Sequence, residues 1–173
     1  MTSGYRLSRI SPGEDDWPAL VAYLKNCGQA RWVLDEHDRP LSEQLTFLAV
    51  VMDSRVIADL TLIKRPIEVP PSEWAGDRDL ILRDAAGQPL AEAFVQTFRV
   101  EADHRRKGYG RALQLEALRV TKELGCIQMR SWSSLDKPAN YQLKLSLGFG
   151  FHPEIQKTAS GLEVSGGYFV KRV

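Results

Sequence analysis

Apolar residues change their spacing several times along this chain, and each change marks an element. Tyr5 and Leu7 share one face of a short run ending at Ile10, which predicts a first strand. Ser11-Pro12-Gly13-Glu14 has the form of a capping box with proline at the first helical position. Trp17, Leu20, Val21 and Leu24 follow at i, i+3, i+4 and i+7, the stripe of a helix that stops near Gly28. Gln29 to Gln44, with Arg31-Trp32-Val33-Leu34 and then polar residues up to Pro40, predicts a short second helix and a loop. From Leu45 the period is that of a strand. Residues 45–52 and 55–63 are rich in β-branched side chains, and Asp53-Ser54 joins them as a hairpin.

Residues 64–88 break the pattern with Pro66, Pro70, Pro71, Trp74 and Gly76, and read as an insertion at about 64–90 that holds a short strand at 80–82. A polar, proline-broken segment of this length in a small domain either serves a function or hangs loose. Asp84-Ala85-Ala86-Gly87 turns the chain into a strand over 90–100. A basic turn, His104-Arg105-Arg106-Lys107-Gly108-Tyr109-Gly110, opens a helix marked by Leu113, Ala117, Val120 and Leu124 and stopped by Gly125. Residues 126–131 predict a strand, 138–147 a helix, and 151–155 and 167–171 two closing strands. The order β-α-α-β-β-β-α-β-α-β-β describes an α/β fold with a mixed sheet and helices on both faces, and the length of 173 residues fits one domain over 1–173.

Composition narrows the function classes. Hydrophobic residues make up 43% of the chain and charged residues 26%, ordinary for a folded globular protein. Lys and Arg number 23 against 22 Asp and Glu, a net charge of +1, so a uniformly basic nucleic-acid binder is not expected. The longest apolar run, Phe47 to Met52, is six residues, too short for a membrane span. The first nine residues carry no apolar stretch, and two cysteines, Cys27 and Cys126, read as reduced thiols; a soluble cytoplasmic protein is the expectation. His37, His104 and His152 have no metal-ligand spacing with each other or with the cysteines, so no metal is predicted.

The chemistry concentrates at one bend. A helix N-terminus presents unpaired N–H groups and a partial positive charge, which attract phosphate. Gly108 and Gly110 remove the Cβ atoms that would hold a diphosphate away, and Arg105, Arg106, Lys107 and Arg111 add charged donors around the same point. These residues describe a diphosphate cradle. It is neither a Walker loop, which needs Gly-x-x-x-x-Gly-Lys, nor a dinucleotide fingerprint, whose third glycine falls at Leu113.

Arg105-x-x-Gly108-x-Gly110 after a strand resembles the central motif of the GNAT superfamily of N-acetyltransferases, which binds the pyrophosphate of acetyl-CoA. The downstream Leu147-Gly148-Phe149 at a helix end is similar to a second signature of that family. The resemblance implies a mixed, mostly antiparallel sheet splayed at its central strands, acetyl-CoA as co-substrate, a primary amine as acceptor, and in many members a homodimer. It places the backbone of Phe98 and Val100 beside the pantetheine arm, the Arg105–Arg111 turn (with Tyr109 between its glycines) on the pyrophosphate, and Asn140 within reach of the cofactor.

Acetyl transfer needs a neutral amine, and a primary amine with pKa near 10.4 is under about 0.1% neutral at pH 7, so a base or water relay helps. Glu92 is the candidate base, on the parity of Phe94, Gln96, Phe98 and Val100. The family's usual general acid, a tyrosine five residues before the Phe of the second signature, is Lys144 here. Tyr141 on the same helix face, or the Lys144 ammonium stabilising the departing thiolate, are the candidates in its place. The acceptor is expected to meet residues 30–44, the insertion and 151–167, where Trp74, Glu68, Glu73, Asp77 and Asp79 could grip a cationic amine. An acyltransferase for a longer acyl-CoA, a non-catalytic acyl-CoA sensor and a nucleic-acid patch at Arg105–Arg111 are the rival readings.

Overall fold

Asp53 and Ser54 both adopt left-handed backbone, with φ of 48° and 61°, and turn two long apolar runs onto each other as a two-residue hairpin. Those runs are β2 (Leu45–Met52) and β3 (Arg55–Pro66), paired antiparallel from Met52↔Arg55 to Leu45↔Ile63. The structure is a computed structural model that describes residues 4–34, 45–68, 81–158 and 160–173. Its other elements are β1 (Tyr5–Ile10), α1 (Trp17–Asn26), α2 (Ala30–Val33), β4 (Ala91–Val100), α3 (Tyr109–Glu123), β5 (Gln128–Ser134), α4 (Pro138–Ser146), β6 (Gly150–Lys157) and β7 (Glu163–Arg172), with a 3-10 turn at Ala102–His104. The seven strands run in the order β1-β2-β3-β4-β5-β7-β6. β1 with β2, β2 with β3, β5 with β7 and β6 with β7 pair antiparallel, and β4 with β5 pairs parallel. The expected mixed, mostly antiparallel sheet is the one observed.

The chain forms two compact units, Met1–Ile63 with Val95–Val120, and Lys64–Phe94 with Thr121–Val173. In the first, Ile10, Leu20, Tyr23, Leu24, Val33, Phe47, Ala49, Val51 and Val56 form one cluster on the face of β2 that meets α1 and α2. Leu48 and Val50, of opposite parity on β2, are buried as well, as are Leu60 and Ala58, which pair with them beyond a register shift, and Leu62, so both faces of β2 and β3 are covered. That double burial explains why these strands read as continuous apolar runs. In the second unit, α4 lies on the face of β7 that carries Phe169, with the Tyr141 and Phe169 rings 4.8 Å apart.

Glycine ends three helices in the same way. Gly28, Gly125 and Gly148 have φ of 68°, 70° and 77°. After each, the next residue donates back five positions: Gln29 to Leu24, Cys126 to Thr121, Phe149 to Lys144. This is the Schellman closure, so Leu147-Gly148-Phe149 is physically a helix stop.

Several boundaries differ from the sequence reading. Helix α1 begins at Trp17 rather than at the Ser11-Pro12 box. Glu14 Oε2 does accept the Ser11 N–H at 3.0 Å as a capping box requires, but Gly13, at φ 90°, takes the chain out of the helical path. Strand β5 starts at Gln128 rather than Cys126, because the Cys126 N–H still closes α3. Strands β6 and β7 run longer than 151–155 and 167–171; every residue of β6 except Gln156 is exposed, so no apolar alternation marks it. In the insertion, Ile81 forms an isolated bridge with Glu68, and residues 69–80, Leu80 of the expected 80–82 strand among them, lie outside the described residues. Backbone bonds from Ile67 to Leu90, Leu82 to Ile67 and Leu90 to Leu82 tie its ends together.

Candidate active site

Strand β4 delivers the chain to the basic bend. Glu101 donates its N–H to Ile57 of β3 at 2.9 Å, so strand alternation turns the backbone polar groups of Val100, and of Phe98 two residues back, away from β3. The ladder from β4 to β5 covers Glu92↔Gln128, Ala93↔Met129 and Phe94↔Arg130 and ends there, although β4 continues to Val100 and β5 to Ser134. The Val100 carbonyl is used within the bend, accepting from Arg105 Nε at 3.1 Å. Arg105 therefore braces the turn with one nitrogen of its guanidinium.

Arg106 (φ 61°) and Gly108 (φ 90°) are both left-handed, and this alternating backbone aims successive amides toward a common side. The first helical bond of α3 runs from the Ala112 N–H to the Gly108 carbonyl, so the amides of Gly108, Tyr109 and Gly110 have no partner inside the helix. A Cβ added at Gly108 would meet nothing within 4 Å; the space in front of it is open. Arg105, Arg106, Lys107 and Arg111 are exposed around it. The Tyr109 ring turns back onto Tyr5, at 4.9 Å between centroids, which leaves its amide as what it offers an anion. The residues expected to form a diphosphate cradle thus stand together at one bend.

The same unit holds a group that the sequence reading passed over. Asp59 on β3 is fully buried, and its Oδ2 accepts the Thr97 hydroxyl of β4 at 2.7 Å, while Oδ1 has no hydrogen-bond partner among the described residues. Burial pushes its carboxyl up to about 7, against the opposing pull of the Thr97 hydrogen bond and the Arg99 charge. Burial, and then the Asp59 charge, also raises the Tyr23 phenol. The signal was available: one carboxylate inside Val56-Ile57-Ala58-Asp59-Leu60-Thr61-Leu62.

In the second unit, the carboxylate expected to act as base is already engaged. Glu92 is fully buried, and its Oε1 accepts from Arg65 Nε at 3.0 Å and from Arg130 at 3.0 and 2.7 Å. Its Oε2 accepts from Gln128 Nε2 at 2.9 Å. With both oxygens held by fixed donors, Glu92 serves as a counter-ion and is badly placed to take a proton from an incoming amine.

The α4 candidates are likewise turned inward. Asn140 Nδ2 donates to Ser133 Oγ at 3.0 Å, and the Tyr141 hydroxyl to the Ser133 carbonyl at 3.0 Å. Lys144 is 1% exposed, its ammonium over the rings of Phe149 and Phe169 at 4.9 and 5.8 Å. Burial drives its pKa down to about 7. Both cysteines are free thiols, and burial raises each. Of the acidic residues expected to grip an amine, Glu68 is exposed; Glu73, Asp77 and Asp79, with Trp74, lie outside the described residues.

No protein-family model and no curated protein sequence matches the chain. Solved structures do. Arabidopsis thaliana NAA60 in complex with acetyl-CoA superposes with a TM-score of 0.67 at 16% identity, covering 98% of this chain and 99% of that one. The Escherichia coli ribosomal-protein-S18-alanine N-acetyltransferase gives 0.62 at 15% identity over 98% and 94%. A Desulfovibrio desulfuricans protein described as an acetyltransferase of the GNAT family gives 0.64 at 13% identity over 98% and 99%. These likenesses over nearly the whole chain show that it has the fold of GNAT-family acetyltransferases.

Proposed function

We propose that this protein is an N-acetyltransferase that moves the acetyl group of acetyl-CoA to a primary amine by direct attack. The observation that carries this reading is the open bend at Arg105–Arg111, with left-handed Gly108 before a helix N-terminus ringed by exposed cations. It stands on a fold shared with NAA60, whose crystal structure holds acetyl-CoA. In this reading the amides of Gly108, Tyr109 and Gly110 take the pyrophosphate oxygens, and Arg106, Lys107 and Arg111 neutralise them. The Val100 and Phe98 backbone groups that face away from β3 align the pantetheine arm.

The amine lone pair then attacks the thioester carbonyl carbon. The C–S bond breaks, CoA leaves as thiolate, and the amine proton passes to water. Glu92 is assigned no part in that transfer, since its oxygens are committed to Arg65, Arg130 and Gln128. A thiol pKa near 8.5 makes thiolate a tolerable leaving group without a dedicated acid. Tyr141 and Lys144 are read as structural in α4.

The inward placement of Tyr141 and Lys144 also favours a second reading, a non-catalytic acyl-CoA sensor. Thiol release from acetyl-CoA and longer acyl-CoAs, followed across amino acids, polyamines, aminoglycosides and peptides, separates the two. Acceptor-dependent release supports the transferase; tight CoA binding with no release from any donor overturns it in favour of the sensor.

A further inference from the structure

One face of the second unit carries more positive than negative charge at a fixed point. Arg65 and Arg130 share the single carboxylate of Glu92, and among the described residues no other anion touches them. Glu154, the next carboxylate on that face by strand register, stands two strands from β5, opposite Gly166. Two guanidiniums against one carboxylate leave one positive charge over. Only Arg65 Nε and Arg130 Nε and Nη2 are used by Glu92, so further N–H donors of both forks remain, and the side chains are 31% and 16% exposed.

Aromatic rings hold those forks in place. Arg65 lies 4.0 Å over the Phe94 ring; Arg130 lies 5.8 Å from the same ring and 4.9 Å over Tyr168. Tyr168 is fixed in turn by Gln156, whose Nε2 donates to its hydroxyl at 3.2 Å. Cross-strand pairing puts Phe94 opposite Arg130, and Trp132 opposite Tyr168, on this same face, while Phe169 turns the reverse face to α4. A guanidinium stacked on a ring and braced by a buried carboxylate is a preorganised receptor for a planar oxyanion.

We infer that this face binds a carboxylate, and, resting on the transferase reading above, that the carboxylate belongs to the amine acceptor. The acceptor class is then amines that carry an acid group, such as free amino acids, rather than the polycations that an acidic insertion would select. Arg65 supplies the outer fork, Arg130 the inner one, and Glu92 sets their spacing.

Matched acceptors test this. Thiol release is measured with alanine and glutamate against their carboxamides, in the wild type and in Arg65→Gln; taking the ratio between proteins cancels the difference in amine basicity. The expected result is a preference for the carboxylate form that falls by about tenfold or more in Arg65→Gln while CoA affinity stays constant. An unchanged ratio overturns the inference. Independently of turnover, the Arg65 and Arg130 Nε–H resonances are followed against glutarate, which has two carboxylates and no amine. A saturable shift, tighter in Glu92→Gln because the competing charge is gone, is expected; no saturable shift overturns the inference. Failure of CoA to bind would remove the transferase reading and leave the glutarate result to decide this one.

Discussion

Thr97 gives its hydroxyl proton to Oδ2 of Asp59 across 2.7 Å, joining β4 to β3 inside the first unit's core. The bond only partly offsets the desolvation that lifts the Asp59 carboxyl to about 7. Raised above its unfolded value, this carboxyl contributes stability that is fully present below about pH 4 and lost as pH rises through 7. The swing is on the order of 4 kcal/mol. Asp59→Asn is expected to flatten the fall in unfolding free energy between pH 4 and 7, measured by urea melts at each pH, and to be the more stable form at pH 8.

Lys144 has the opposite sign. Its folded pKa, lowered by burial to about 7, makes the unfolded chain hold more protons between that pH and 10.5. Stability therefore rises with pH across this interval. Lys144→Met, which keeps a similar volume, is expected to abolish that rise, and thermal melts from pH 7 to 10 check it.

Gly108 at φ 90° stands where a β-branched side chain is strained and where a diphosphate would approach the amides. Gly108→Val is expected to weaken CoA binding by about tenfold or more, read by calorimetry, with far-ultraviolet circular dichroism unchanged.

The Tyr141 hydroxyl has a structural partner in the Ser133 carbonyl. Tyr141→Phe is expected to lose about 1 kcal/mol of stability while the maximal rate falls less than about tenfold. A rate loss near a hundredfold would instead make Tyr141 the proton donor to the thiolate.

Gly166 admits no side chain, because a Cβ there would sit 2.4 Å from the Ser133 carbonyl oxygen and 2.6 Å from the Trp132 ring. Gly166→Ala is expected to destabilise the protein by roughly 1–3 kcal/mol, visible as a lower midpoint in a denaturant melt.

Local signals made most of the architecture legible. The β2–β3 hairpin was readable because Asp53-Ser54 separates two β-branched runs, and the phosphate bend because glycine spacing and charge coincide at 105–111. The start of α1 was misread because the Ser11–Glu14 box closes its hydrogen bond while Gly13 takes the chain elsewhere; local propensity and backbone path parted there. Glu92 was misread for a different reason. Its parity on β4 was visible, but its partners Arg65 and Arg130 lie 27 and 38 residues away, and nothing local announces them. Lys144 shows the same limit, since a lysine on a short helix looks solvated until Phe149 of the helix stop and Phe169 of β7 close over it.

The outermost strand β6 bears on the behaviour of concentrated solutions. An open sheet margin invites another chain to add to it. Here that margin carries His152, Pro153, Glu154 and Lys157, and proline offers no N–H to a newcomer. The opposite margin, β1, presents Arg6 and Arg9. Each rim of the sheet thereby carries its own charges against fibrous self-association.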